Sequence, residues 1–294
     1  MVLPWRAIDL HVHCRDEEQS DKATIASVIT LAHSQGVEII GDMPNTERPV
    51  TNRERIYERL FLVPKNQKKY YRLYAGLTGS EEQVEEAVWC YNCIFQVVGF
   101  KMFAGRSVGD LSVIDTEDQR MIYRTLAEQK FLGVLAVHCE KEAFLKPELW
   151  DPSNPISHTW ARPMEAEVKS VRDQIRLAIE EGYDGHLNIC HVSCPESVAL
   201  INEARVVGLR ISCGATPHHL MWDENMMNGP DGLIYKMNPP LRSELAVLQL
   251  RKQLLAGMID MIETDHAPHT ALEKQPPECL SGYPSLELYR EFVT

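Results

Sequence analysis

The chain has 294 residues, 44% hydrophobic and 24% charged, with a formal net charge of −12. This length and composition suit a large α/β core and exclude a mainly disordered chain. The acidic balance, without any Lys/Arg run, argues against a nucleic-acid or anionic-membrane surface, and no stretch approaches the roughly eighteen apolar residues of a membrane span. The N-terminus does not read as a signal peptide, so a cytoplasmic location and a small-molecule substrate are expected.

Short β-type runs alternate with helical patterns from one end to the other. Strands are expected at 7–13, 37–43, 71–77, 97–103, 133–138, 186–191, 210–215 and 258–264. Helical patterns fall at 21–35, 80–90, 116–129, 165–181, 195–207 and 243–256. Gly36, Gly133, Gly182, Gly208 and Gly257 follow helices near the C-cap position. No Pro/Gly/Ser-rich linker divides the chain, and 1–294 is expected to form one domain. Eight βα units predict a (β/α)8 barrel, the TIM barrel, in which chemistry gathers at the C-terminal ends of the strands.

The unusual polar residues follow that rule. His11 and His13 end the first strand, Asn45 follows the second, Lys101 lies near the end of the fourth, His138 ends the fifth, His191 the sixth and Asp265 the eighth. Strand alternation puts His11 and His13 on one face. With eleven histidines in the chain, one such pair is little more than coincidence. Four imidazoles and a carboxylate converging on one rim are not, and they suit borderline cations such as Zn²⁺. Two ions about 3.5–4 Å apart need a bridging anion. Lys101 is anomalous there, because cations would repel its ammonium; carbamylated by CO₂, it becomes an anionic bridge. The plainer alternative is that Lys101 snorkels outward or pairs with an acid.

The eight cysteines are scattered and read as free thiols, with Cys90 and Cys93 of "CYNC" as structural residues on a helix. His33, His158 and His186 lie away from the strand C-termini and are expected to be structural or on the surface. His218 and His219 of "TPHHL" are expected to structure a loop. Cys190, beside His191, has no assigned role.

"DLHVHCRD", "GDMPNTERP", "GFKMF", "VHCE", "CHVS", "TPHHL", "NPPLR" and "TDHAPHTALEK" occur in this order from about Asp9 to Glu287. In that succession the chain resembles the dihydroorotases of the amidohydrolase superfamily, in the branch with a carbamylated lysine. The resemblance implies that His11, His13 and Asp265 bind one Zn²⁺ and that His138 and His191 bind a second. It further implies that carbamylated Lys101 and a hydroxide bridge them. Arg15 and Asn45 would hold the substrate carboxylate, helped by His269; Asn238 would lie against the ring, and Arg242 is a further expected contact. Asp265 would be the catalytic acid–base in reversible hydrolysis of dihydroorotate to N-carbamoyl-L-aspartate, a step of pyrimidine (UMP) biosynthesis.

The chain departs from this pattern at its ends. Many relatives carry a β-sandwich built from both flanks of the barrel, but only about eight residues precede the first strand and little follows Glu287, so the sandwich is expected to be absent. Ser285 replaces a glycine of the family's "GFPGLE" region, which bears on contacts around Gly282. A barrel bottom left bare suggests a homo-oligomer or association with aspartate carbamoyltransferase. The alternatives are another cyclic amidohydrolase of the hydantoinase, dihydropyrimidinase or allantoinase kind, or a silent scaffold subunit. An unpaired Arg15 beside a neutral ring argues against the first, and retention of all six ligand positions argues against the second.

Overall fold

The computed structural model describes residues 7–106 and 111–294. Eight parallel strands pair strictly in sequence order: β1 (Ala7–Val12), β2 (Val37–Asp42), β3 (Tyr71–Gly76), β4 (Val97–Ala104), β5 (Val134–Cys139), β6 (His186–Ile189), β7 (Ile211–Ala215) and β8 (Met261–Ile262). A parallel bridge between Val12 and His266 brings the last strand's extension back to β1, where the His13 N–H donates to the His266 carbonyl at 2.8 Å. The sheet is the (β/α)8 barrel that the alternating pattern predicts.

The helices between strands are α1 (Ile25–Ser34), α2 (Arg53–Leu62), α3 (Glu81–Cys93), α4 (Thr116–Glu128), the short α5 (Ser157–Ala161), α6 (Met164–Glu180), α7 (Pro195–Val206), the short α8 (Pro217–Met221) and α9 (Glu244–Leu255); α10 (Tyr289–Val293) follows the barrel. Side-chain caps start several of them. Thr24 and Ser27 form a reciprocal capping box at α1, and Asn52, Ser80, Asp115 and Ser243 cap α2, α3, α4 and α9. Apolar faces such as Ile25, Val28 and Ile29 of α1 belong to one continuous core with strand residues such as Leu73, Phe100, Leu135 and Leu187. Among the described residues, no helix is long and apolar enough to cross a membrane.

Three local expectations are corrected. Helix α2 has no counterpart in the predicted pattern, because its buried face carries Arg55 and Arg59 beside Ile56 and so lacks an apolar period. The eighth strand is two residues long rather than seven, since the Thr264 N–H and hydroxyl donate to the Asp9 carboxylate instead of extending the ladder. After α4 the left-handed residue is Lys130 (φ 51°), while Gly133 abuts the Phe131 ring, 2.5 Å from where its Cβ would stand.

Candidate metal centre and substrate pocket

A pocket opens at the C-terminal end of the barrel, lined by His11, His13, Arg15, Asn45, Phe103, His138, His191, Asn238, Asp265, Ala267, Ser281 and Gly282. The sequence singled out eight of these positions as site residues. Lys101, His269 and Arg242 do not line it, and Phe103, Ala267 and Ser281 were not anticipated.

Two groups of donors converge there. His11 and His13 present Nε2 atoms 3.3 and 2.9 Å from the same oxygen of Asp265. On the facing strands, His138 Nδ1 and His191 Nε2 stand 3.2 Å apart. His191 and Asp265 both lie beyond the ends of their strands in left-handed backbone (φ 38° and 49°). Such a conformation costs a non-glycine residue about 1–3 kcal/mol and is characteristic of functional sites.

Two buried carboxylates that the sequence reading missed stand behind the imidazoles. Glu263 lies 2.7 Å from His11 Nδ1, and Glu140 lies 3.0 Å from His138 Nε2. Each fixes which ring nitrogen faces the pocket. Their sequence signal was slight: Glu140 stands one residue beyond its strand in "VHCE", and Glu263 ends an apolar run, where charge is unusual. The Arg162 guanidinium and His138 hold Glu140 well below the ordinary carboxylate range in spite of burial. Burial pushes His13 and His138 below the ordinary imidazole value and His191 well below it, leaving neutral rings able to donate lone pairs. Burial and Lys101 also push His11 down, yet the flanking Glu263 and Asp265 raise it to about 10. Asp265 itself is held well below the carboxylate range by His11 and His13, against its burial. A divalent cation can take the place of the proton that these groups share. Neutral imidazoles, an ionised carboxylate and carboxylate-anchored outer nitrogens together form a donor set that fits a metal.

Lys101 lies in mid-strand, since β4 runs on to Ala104. It is fully buried, its ammonium donates to Cys190 Sγ at 3.1 Å, and among the described residues it has no carboxylate partner. It neither snorkels nor pairs with an acid.

Arg15 is 3% exposed, and its Nε donates to the Pro268 carbonyl at 3.1 Å. Among the described residues it forms no ion pair with a carboxylate, and burial lowers it to about 10, so it remains a cation at neutral pH. Its backbone is fixed from α2. Buried Arg59 donates to the Arg15 carbonyl at 2.8 Å and to the Cys14 carbonyl, and pairs with Asp42 at 2.8 Å. His269 sits behind Arg15, with Nε2 3.3 Å from the guanidinium and 3.1 Å from the Ser281 carbonyl. Gly282 (φ 150°) passes so close that a Cβ would meet His269 at 2.8 Å, so no larger residue fits. Lys274 pins this wall by donating to the carbonyls of Lys236, Leu280 and Gly282 at 2.8–3.1 Å.

Arg242, an expected substrate contact, does not line the pocket. It donates to Ser193 Oγ and the Arg162 carbonyl and stands 3.7 Å from Glu167, so it braces the turn after His191 rather than the pocket. His158 is buried, not on the surface, and its Nε2 lies 3.0 Å from both the Met237 carbonyl and Asn238 Oδ1, steadying Asn238. His33 is exposed, and His219 bonds Thr216 and the Pro239 carbonyl as a loop-structuring residue would. The cysteines are free, with Cys90 buried and Cys93 exposed on α3.

No family model matches the chain. A dihydroorotase from Listeria welshimeri is 32% identical over 299 residues, covering 97% of this chain and 67% of that protein. The chain belongs to the dihydroorotase family of cyclic amide hydrolases. A second dihydroorotase, from Aeropyrum pernix, is 33% identical over 300 residues, covering all of this chain and 64% of its own length. Among solved structures, an L-hydantoinase (dihydropyrimidinase) from Arthrobacter aurescens superposes with a TM-score of 0.82 at 24% identity, and a dihydropyrimidinase from Brevibacillus agri with 0.83 at 22%. These two share the fold, and 96% of the chain covers 63% of each. The chain thus spans about two thirds of the length of its dihydroorotase relatives and slightly less of the solved structures.

Proposed function

We propose that this chain is a metal-dependent dihydroorotase, opening the ring amide of (S)-dihydroorotate to N-carbamoyl-L-aspartate and catalysing the reverse closure in pyrimidine (UMP) biosynthesis. Arg15 carries the reading: a buried guanidinium beside the convergent donors, without a carboxylate of its own among the described residues, is matched by a substrate that brings one. A neutral hydantoin or dihydropyrimidine ring would leave it unpaired.

His11, His13 and Asp265 would hold one Zn²⁺ and His138 and His191 a second, with Lys101 as a carbamate serving both. The acid-free burial of Lys101 supports carbamylation, since the Cys190 sulfur is only a weak acceptor for a buried ammonium. When bound, such ions lower the pKa of a water molecule and polarise the amide carbonyl. Asp265 accepts the proton of the attacking water and returns it to the ring nitrogen as the C–N bond breaks. Arg15 orients the ring through a bidentate bond to its carboxylate, with His269 steadying the guanidinium from behind. Asn45 and Asn238 supply amide groups from the facing walls, and Phe103 excludes water from one side.

Residues 1–294 would form one domain in the cytoplasm. Phe61, Phe95, Leu132, Val206, Val207 and Leu255 are each at least 60% exposed and lie at helix C-termini or just before strands, toward the end of the barrel opposite the pocket. These apolar residues support assembly through that end, with a second copy or with an aspartate carbamoyltransferase.

The test is kcat/KM for dihydroorotate, dihydrouracil and hydantoin, with Zn²⁺ counted on the same purified sample. Preference for dihydroorotate at two Zn²⁺ per chain supports the proposal. Preference for a neutral ring moves the assignment to another cyclic amidohydrolase, and full metal loading without turnover moves it to a scaffold subunit.

A further inference from the structure

We propose that Glu263, which does not line the pocket, is a positioning residue that sets the ligating nitrogen of His11, and that Gly214 on the neighbouring strand is glycine to admit its carboxylate. The inference rests on the metal-dependent reading above.

The Glu263 carboxylate joins three strands of the barrel. It leaves the chain just beyond β8, takes His11 Nδ1 of β1 at 2.7 Å on one oxygen and accepts the backbone N–H of His191, beyond β6, at 2.5 Å on the other. Among the described residues its only ion-pair partner is His11, so no arginine or lysine accounts for burying it. Space for it comes from β7. A Cβ at Gly214 would stand 2.2 Å from Glu263 Oε1, inside any allowed contact, and the atom in the way is the carboxylate itself. The glutamate in this position therefore requires a glycine at 214.

With the proton on Nδ1 held by Glu263, the His11 lone pair lies on Nε2, the nitrogen 3.3 Å from Asp265. A glutamine of the same shape cannot reproduce this. The fixed N–H of His191 needs the amide oxygen, which turns the amide NH₂ toward His11 Nδ1 and makes that nitrogen an acceptor. The ring proton then moves to Nε2 and blocks the ligating position. Glu140 stands in the same relation to His138, so each half of the centre has one imidazole anchored by a buried carboxylate.

Glu263 also lies near Cys190, and His11, Cys190 and Glu263 offer ligand atoms within 4.8 Å of one another. Here the Glu263 carboxylate already accepts from two donors, so it needs no cation to satisfy it.

The test compares the wild-type chain with Glu263→Gln and Gly214→Ala, using Zn²⁺ alone as probe. Zn²⁺ affinity is read by chelator competition, and the His11 Nδ1–H by long-range ¹H–¹⁵N NMR of the Zn²⁺-loaded proteins. The expected result is about 10–100-fold weaker binding of one Zn²⁺ in both variants, loss of the His11 Nδ1–H signal in Glu263→Gln, and unchanged binding of the other ion. Gly214→Ala reports the same displacement with Glu263 intact. If the wild-type chain binds two Zn²⁺ and turns over while both variants match it in affinity and NMR signal, the positioning role is overturned and the metal-dependent reading stands. A third Zn²⁺ that disappears in Glu263→Gln also overturns it, by making Glu263 a ligand. Failure of the wild-type chain to bind Zn²⁺ overturns both.

Discussion

Replacing Arg15 with methionine removes the guanidinium while keeping most of its volume. Burial lowers that group from its ordinary value to about 10, equivalent to roughly 3 kcal/mol of unmet solvation at about 1.36 kcal/mol per pH unit. A substrate carboxylate restores what burial removes, and hydrogen bonds to charged groups contribute about 1.5–3 kcal/mol on their own scale. Both routes give a loss of roughly 2–3 kcal/mol on substitution, on the order of 100-fold in KM for dihydroorotate. kcat should change only a few-fold, because the arginine touches the carboxylate and not the breaking bond. The neighbouring backbone should survive, since Arg59 holds the carbonyls of residues 14 and 15 and not the side chain. The assay is steady-state ring opening at fixed Zn²⁺, with dihydrouracil as the carboxylate-free control. An unchanged KM for dihydroorotate in folded, metal-loaded protein refutes the reasoning, and equal losses on both substrates assign Arg15 to holding the centre together instead.

Asp265→Asn should retain the fold and lose turnover in both directions, because the amide cannot take up the proton of the attacking water; normal ring opening by the metal-loaded variant would exclude Asp265 as the proton carrier. Arg59→Met should lower unfolding free energy by about 3–5 kcal/mol in denaturant titrations, since Asp42 is left as an uncompensated buried charge; a loss under 1 kcal/mol would show that Asp42 finds another partner. Burial holds His158 well below 6.5, so the folded chain leaves it neutral while the unfolded chain protonates it below about that pH. Its contribution is thus present above pH 6.5 and lost as pH falls, at up to about 1.4 kcal/mol per pH unit. In His158→Leu the fall in stability between about pH 6.5 and 5.5 should be smaller by about 1 kcal/mol, and an unchanged slope would mean His158 is already charged when folded.

The barrel was legible because its strands are apolar runs and its helices carry regular apolar faces. Legibility failed where a buried surface is polar. Helix α2 hides its inward face behind Arg55 and Arg59, and β8 gives up its ladder to Asp9, the ninth residue of the chain, whose only sequence signal was its place before "LHVH". Neither is visible to periodicity, because Arg59 finds Asp42 17 residues away and Thr264 finds Asp9 255 residues away.

The same distinction separates the donors from the groups that aim them. Histidines at strand ends announce themselves by position, and the barrel rule alone brings His11, His138 and His191 to one rim. An imidazole offers two nitrogens, however, and the sequence does not say which one faces inward. In this chain that choice falls to Glu263 and Glu140, the first 252 residues from its histidine and the second two. Glu140 can be read locally, because a residue two beyond a barrel-facing histidine returns to the same face. Glu263 cannot, because its meaning depends on the missing side chain at Gly214, and only folding brings that gap beside it. A glycine read as backbone freedom is here a volume reserved for a carboxylate, so a side chain added at 214 should displace Glu263 even though the glutamate itself is unchanged.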